Sequence, residues 1–176
     1  MLEFTHNNTE YILFSKTRDI YSQFHASSYT VGWRSPIDGT VRIVSVTCAE
    51  MFMMYAKAII FGDESTANKI LKAKTPAECK RLGRSVKGYD DDTWNKHAFD
   101  IVVLSNYVKF MTSYADILAA TGNAILVEAS SWDKKWGTGM NEKATMEYII
   151  ENNEVPGQNL LGKAIMKARE YIVSDY

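Results

Sequence analysis

The stretch TCAEMFMMYAKAIIFG, residues 47–62, predicts the helix around which the rest of the chain is organised. Thr47 and Glu50 have the spacing of a capping box, and Gly62 ends the apolar run in the way that helix-terminating glycines do. Apolar side chains fall on nearly every side of this stretch. The pattern therefore predicts a helix that is buried over most of its surface.

Two charged residues lie on this apolar helix. Glu50, Met54 and Lys57 are spaced so that they share one stripe over two helical turns. An isolated buried charge costs much free energy, so Glu50 and Lys57 are expected to be paired or to line a cavity that binds a ligand. The alternative is that Glu50 only completes the capping box and that Lys57 extends its amine to water.

The remaining pattern predicts an α+β fold: a mainly helical single domain over residues 1–176 with a small β-sheet. Strands are predicted at 10–15, 27–33, 41–46 and 124–129, and Asp38-Gly39 is typical of a hairpin turn between the second and third of them. Further helices are predicted at 63–73, 75–84, 91–112, 114–122, 142–153 and 159–173.

Composition excludes several classes of protein. Twenty basic and 21 acidic residues give a net charge of −1, so binding to nucleic acid or anionic lipid would require a local basic patch. The two cysteines and three histidines have no disulfide-framework or zinc-site spacing, so no metal is expected. No apolar run reaches the ~18 residues that span a bilayer, and the opening residues lead us to expect no signal peptide. A soluble, reduced, cytoplasmic protein is expected.

A second stretch, ILVEASSWDKKWGTG at residues 125–139, runs from a predicted strand into a loop. Asp133 and two tryptophans are typical of a binding loop carried on a rigid strand, and Gly137 and Gly139 permit positive φ or close approach of the backbone to a ligand. The alternative is a loop that packs one tryptophan on the core and uses Asp133 as a turn residue.

Other candidate residues give weaker signals. Arg84 can bind a phosphate or carboxylate through two hydrogen bonds, or it is a solvated arginine at a helix end. Asn159 is expected to cap the last helix, whose amino terminus is also an anion site by its geometry. Nothing local distinguishes Ser22 and Phe24 from ordinary loop residues.

Taken in order, these pieces resemble the NADAR (YbiA-like) family. The motifs that carry the resemblance are Ser22–Phe24 (SxF), the helix Glu50–Lys57, Gly83-Arg84, Trp94 with Lys109-Phe110, Asp133–Gly139 (DxxWGxG), Asn159–Met166 (NxLGxxxM) and Arg169. Met51 and Met54 stand where family members commonly have histidine and glutamine, a departure that bears on substrate preference.

The resemblance implies an N-glycosidase that hydrolyses a C1–N bond to a ribose, most directly by removing ADP-ribose from guanine in nucleic acid or nucleotides. It implies Lys57, Glu50 and Asp133 as catalytic residues, without cofactor or metal. The implied substrate-binding residues are Ser22, Phe24, Arg84, Trp94, Trp136, Gly137, Gly139 and Asn159.

The expected partner is a nucleotide-like small molecule or an ADP-ribosylated base in nucleic acid, with no membrane and no obligate protein partner. Two alternatives stay open: an N-glycosidase of riboflavin-biosynthesis intermediates, and a catalytically silent module that binds ADP-ribose or a related nucleotide. The chemical route is open as well, between direct hydrolysis and a Schiff base on Lys57.

Overall fold

The computed structural model of the chain describes residues 1–174. In chain order the elements are β1 (Leu2–His6), β2 (Thr9–Phe14), β3 (Tyr29–Arg34), β4 (Val41–Val46), α1 (Ala49–Ile60), α2 (Glu64–Ile70), α3 (Pro76–Arg84), α4 (Asp91–Ser113), α5 (Ala115–Ala120), β5 (Ile125–Glu128), α6 (Glu142–Asn152) and α7 (Leu160–Ser174). The predicted class, α+β with mainly helices and little sheet, is confirmed. None of the helices within residues 1–174 is long and apolar enough to cross a membrane.

The chain divides into two compact units. Unit 1 combines Met1–Ser22 with the segment from Tyr114 onward, and unit 2 is Gln23–Ser113. Unit 2 is therefore inserted, along the chain, between the two segments that build unit 1.

Unit 1 is built on a three-stranded sheet in the order β1-β2-β5. β1 and β2 form an antiparallel hairpin, whose turn residues Asn7 and Asn8 both have positive φ (49° and 60°). Such φ values at both central positions match the right-handed twist of the paired strands. β5 then adds in parallel to β2, with Phe14 opposite Glu128, and α7 packs on β5. β1 was not among the predicted strands.

Unit 2 is organised around α1, which packs against α2, α3 and α4. Every residue of α1 except Lys57 is buried, which confirms the central helix predicted from the sequence. β3 and β4 pair as the predicted antiparallel hairpin, and Gly39 in its turn has φ 67°. Lys57 is therefore the one residue through which α1 reaches the surface.

The predicted capping box of α1 is wrong. The cap residue is Cys48, with no side-chain capping bond, and the N–H of Glu50 donates instead to the main-chain oxygen of Gln23 at 3.0 Å. A main-chain acceptor from a distant segment thus replaces the hydroxyl of Thr47. The cap of α3 is confirmed, because Thr75 Oγ1 accepts from the N–H of Glu78 at 3.1 Å.

Candidate active site

Glu50 lies in the first turn of α1 and only 5% of it is exposed. Its main-chain N–H donates to the main-chain oxygen of Gln23. The side chain of Gln23 is buried. The amide of Gln23 accepts from Asn106 Nδ2 at 3.0 Å and donates to Met53 Sδ at 3.8 Å. Gln23 therefore ties the segment before β3 to both α1 and α4. This role could not be predicted from the sequence, because Gln23 lies in a stretch without periodicity.

The amine of Lys57 is held by two groups of unit 2. Nζ donates to the main-chain oxygen of Gly83 at 2.9 Å and lies 4.0 Å from the centroid of the Tyr89 ring. The hydroxyl of Tyr89 donates in turn to Asp91 Oδ1 at 2.6 Å. A carbonyl oxygen and an aromatic face both accommodate an ammonium ion. The half-buried Lys57 therefore has a fixed amine, and its neighbour Tyr89 was not among the predicted residues.

The two methionines that depart from the family pattern are packing residues. Met51 and Met54 are 2% and 7% exposed. Met54 lies against Gly83, where an added Cβ would collide with its Sδ. Close packing of α3 on α1 therefore depends on the absence of a side chain at Gly83. This packing also positions the carbonyl oxygen of Gly83, which accepts from Lys57.

The other predicted residues of unit 2 differ in exposure. Arg84 is exposed at the last turn of α3, and Trp94 is buried in the first turn of α4 with 4% of its surface exposed. Phe24 is half-buried, and Lys80 Nζ lies 5.7 Å from the centroid of its ring. The exposed side chain of Arg84 can therefore bind an anion from solvent, whereas the side chain of Trp94 packs in the core of unit 2.

A buried polar cluster also lies in unit 2. Lys109 is fully buried on α4, and desolvation lowers the pKa of its amine to about 7. The thiol of Cys48 interacts with Lys109 and is hydrogen-bonded to that of Cys79; this bond lowers the pKa of Cys48 and raises that of Cys79. Lys109 occupies a position of the apolar stripe of α4, which is the signal that could have identified it as a buried lysine.

In unit 1, Asp133 forms a turn. Its Oδ1 accepts from the N–H groups of Lys135 at 2.9 Å and Trp136 at 2.8 Å. The carbonyl of Asp133 accepts from the N–H of Gly139 at 3.0 Å. This is the turn role that the sequence left open as an alternative, and it fixes the shape of the whole loop.

Two positions of this loop require glycine, one because another main-chain atom lies close and one because φ is positive. A Cβ at Gly137 would lie 2.6 Å from the main-chain oxygen of Glu128, and Gly139 has φ 73°. Positive φ is therefore confirmed at Gly139, while at Gly137 the close backbone approach is to β5. Trp136 is half-buried in the loop, and Trp132 is 97% exposed.

The same loop binds the start of α7. The four carbonyls of 134–137 accept from the four N–H groups of 158–161 at 2.8–3.2 Å. These include the first two N–H groups of α7, at Leu160 and Leu161. Because the loop occupies them, these groups are not available to an anion.

The prediction that the side chain of Asn159 caps α7 is wrong. Its Nδ2 donates to the oxygen of Leu126 at 2.9 Å, and its Oδ1 accepts from the N–H of Glu128 at 3.0 Å. The residue has φ 48° and is 2% exposed. Its side chain satisfies two main-chain groups of β5, the strand that carries the loop.

The structure thus places the predicted residues in two groups. Unit 2 holds Phe24, Glu50, Lys57, Arg84 and Trp94, and unit 1 holds Ser22, Asp133, Trp136, Gly137, Gly139 and Asn159. Ser22 is half-buried, and its N–H donates to the oxygen of Asp19 at 2.9 Å. Across residues 1–174, no group of three or more His, Cys, Asp or Glu side chains is arranged to hold a metal ion.

Comparison with known proteins bears on the activity. The chain is 38% identical to an N-glycosidase of Acanthamoeba polyphaga mimivirus over 154 residues, 86% of each protein. It is 30% identical to a riboflavin biosynthesis protein of Vibrio vulnificus over 129 residues, which are 72% of this chain and 32% of that protein. These relatives support an enzyme of the hydrolase class that acts on an N-glycosidic bond.

The fold has a solved counterpart. The NMR structure of the Escherichia coli protein YbiA matches with a TM-score of 0.68 and 23% identity, over 97% of this chain and 89% of that one. The model of the NADAR domain matches residues 4–173, which run through both units. The chain therefore belongs to the NADAR family and is a hydrolase of the N-glycosidase type.

Proposed function

We propose that the chain removes ADP-ribose from guanine, in nucleic acid or nucleotides, by hydrolysing the bond between the ribose C1 and the base nitrogen. The observation that carries the proposal is the fixed amine of Lys57, bound to the oxygen of Gly83 and the ring of Tyr89 on the helix that also carries Glu50. An amine held in place beside a ribose carbon is one of the groups with which an enzyme can attack that carbon.

The chemistry assigns a role to each of these groups. Breaking the C1–N bond builds positive charge on the ribose, and the carboxylate of Glu50 stabilises that charge or activates water. In direct hydrolysis, water adds hydroxide to C1 and the base leaves with a proton. In the second route, the neutral amine of Lys57 attacks C1, the base leaves protonated, the ring opens to an imine, and water then releases the sugar.

The other candidate residues differ in what their side chains are suited to bind. Arg84, exposed at the end of α3, is suited to a phosphate of the substrate. Trp136 is suited to stack on a base. In unit 1 the carboxylate of Asp133 is committed to the turn, so we assign Asp133 a role in the shape of that loop.

The test uses Glu50→Gln and Lys57→Ala with guanine-linked ADP-ribose as substrate. We expect turnover to fall by about 100-fold or more in each, the usual effect of losing an acid–base or electrostatic group. Lys96→Gln, an exposed change on α4, is the matched control. Folded variants with full turnover would contradict the proposal.

Borohydride separates the two routes. A sugar trapped on the wild-type protein, but not on Lys57→Ala, indicates the Schiff base. Turnover without an adduct assigns Lys57 an electrostatic role.

A second candidate substrate is an intermediate of riboflavin biosynthesis, because the relative in Vibrio vulnificus is named for that process and matches 72% of this chain. Such an intermediate also carries a C1–N bond between a ribose phosphate and a base. Turnover measured side by side on ADP-ribosylated guanosine, an ADP-ribosylated oligonucleotide and the riboflavin precursor distinguishes these substrates.

A further inference from the structure

A strongly basic segment lies within unit 2. Between positions 69 and 87 the chain has seven basic residues and one acidic residue, Glu78. The basic residues are Lys69, Lys72, Lys74, Lys80, Arg81, Arg84 and Lys87. The chain as a whole has a net charge of −1, so this segment is a local departure from its average.

The charge of the basic segment is not neutralised by ion pairs. All of its basic residues except the half-buried Lys80 are exposed. None of the seven forms a salt bridge with a carboxylate anywhere in residues 1–174. The carboxylates of Glu78 and Asp63 bind main-chain N–H groups, those of Lys74 and Lys87 respectively. The segment therefore presents free positive charge to solvent.

The basic segment includes the element that holds the amine of Lys57. α3 buries Cys79 and Gly83 on one side and exposes Arg81 and Arg84. The oxygen of Gly83 is the acceptor for Lys57 Nζ. A ligand that binds the exposed side of α3 is thus one helix diameter, about 10 Å, from the proposed catalytic amine.

Helix-end electrostatics explain only part of the basic segment. Arg81 and Arg84 lie in the last turn of α3, where cations complement the helix dipole. Lys69 lies in the last turn of α2 in the same way, whereas Lys72, Lys74 and Lys87 lie outside the helices. The helix dipoles therefore do not account for the positive charge of these three lysines.

We infer that this basic segment binds the phosphodiester backbone of a single-stranded nucleic acid that carries the modified base. The inference rests on the proposed function and narrows its substrate from free nucleotides to a polynucleotide. Exposed, unpaired lysine and arginine side chains are the groups that neutralise backbone phosphates. A single strand is favoured because an enzyme that acts on a base needs it unstacked.

The experiment compares two substrates with the same modification, a 12-nucleotide single-stranded DNA with one ADP-ribosylated guanine and the free ADP-ribosylated mononucleotide. The variant is Lys72→Gln/Lys74→Gln/Arg81→Gln, which leaves Lys57 and Arg84 intact. Lys16→Gln/Lys143→Gln/Lys163→Gln, all exposed in unit 1, is the control with the same change in charge.

We expect the first variant to raise KM for the oligonucleotide about tenfold or more at low salt, and to reduce the slope of log KM against log salt by about 2. Turnover of the mononucleotide and the behaviour of the control are expected to stay unchanged. An oligonucleotide KM that does not move, or an equal loss on both substrates, would overturn the inference.

Binding to unmodified oligonucleotide tests the basic segment without turnover. If the wild type cleaves neither substrate, the proposed function is wrong, while salt-dependent fluorescence anisotropy with unmodified 12-nucleotide DNA still reports on the basic segment. Binding that is lost in the first triple variant supports the inference. No binding by the wild type, or binding only to vesicles containing phosphatidylserine, overturns it.

Discussion

Lys57 on α1 donates from Nζ to the main-chain oxygen of Gly83 on α3, across 2.9 Å. At the same residue of α3, the missing side chain gives room to Met54 of α1. One glycine thus sets both how closely the two helices pack and where the amine of Lys57 is held.

Gly83→Ala is expected to displace α3 from α1 and to move the oxygen that binds Lys57. We expect a loss of stability of roughly 1–3 kcal/mol, typical of overpacking, and a fall in kcat larger than any rise in KM. Chemical denaturation and steady-state kinetics measure the two effects. Gly32→Ala is the control, because a Cβ there meets no atom within 4 Å. Equal kinetics for Gly83→Ala and wild type would contradict this link.

Asp133→Asn and Asp133→Ala separate the turn from the charge. Asparagine keeps an oxygen that accepts from Lys135 and Trp136, whereas alanine leaves both N–H groups without it. We therefore expect Asp133→Ala to cost about 1–3 kcal/mol of unfolding free energy, and Asp133→Asn to stay near wild type in stability and turnover. Inactive but stable Asp133→Asn would show that the carboxylate acts in the chemistry.

Asn159→Gly and Asn159→Ala test the support of β5. Both remove the hydrogen bonds to Leu126 and Glu128, at a cost of about 1–3 kcal/mol for each buried group left unsatisfied. Only alanine adds the strain of positive φ, so Asn159→Ala is expected to be the less stable of the two. Urea unfolding measures both. Asn152→Ala, which removes one exposed bond to the oxygen of Tyr148, is the control and is expected to change little.

Lys109→Met tests the cost of the buried amine. Burial lowers the pKa of Lys109 from the ordinary value of 10.5 for a lysine to about 7, so between these pH values the unfolded chain binds more protons than the folded one. The free energy of unfolding therefore rises with pH between these two values. Below pH 7 the amine is charged in both states, and its burial destabilises the folded protein to the full extent. We expect Lys109→Met to stabilise the protein more at pH 6 than at pH 10, as measured by thermal unfolding. Lys163→Met, at an exposed site, should show no such difference.

The sequence predicted correctly those helices and hairpins whose ends are set by residues close to them in the chain. Thr75, Pro76 and Glu78 mark the start of α3, and the Asp38-Gly39 turn marks the β3–β4 hairpin, so these predictions are confirmed. The start of α1 is different, because Gln23 supplies the acceptor from 27 residues earlier in the chain and displaces Thr47. A hydrogen bond to a residue so distant in the chain produces no periodic pattern in the sequence.

The candidate site likewise contains residues that the sequence pattern identified and residues that depend on distant contacts. Glu50 and Lys57 were identifiable because charge on an apolar helix is conspicuous. Tyr89 was not, since its position over Lys57 depends on how the chain between α3 and α4 runs. Asn159 was placed at the correct helix end but with the wrong partner, because its side chain binds a strand more than 30 residues away.

The parallel pairing of β2 with β5 also orders events during synthesis. β2 ends at residue 14 and β5 begins at residue 125, with the whole of unit 2 between them. A chain that leaves the ribosome from its amino terminus can therefore complete unit 2 while the β1–β2 hairpin still lacks its third strand. Loop closure over that distance is slow, so the hairpin edge is the part of the nascent chain exposed longest to chaperones and to self-association.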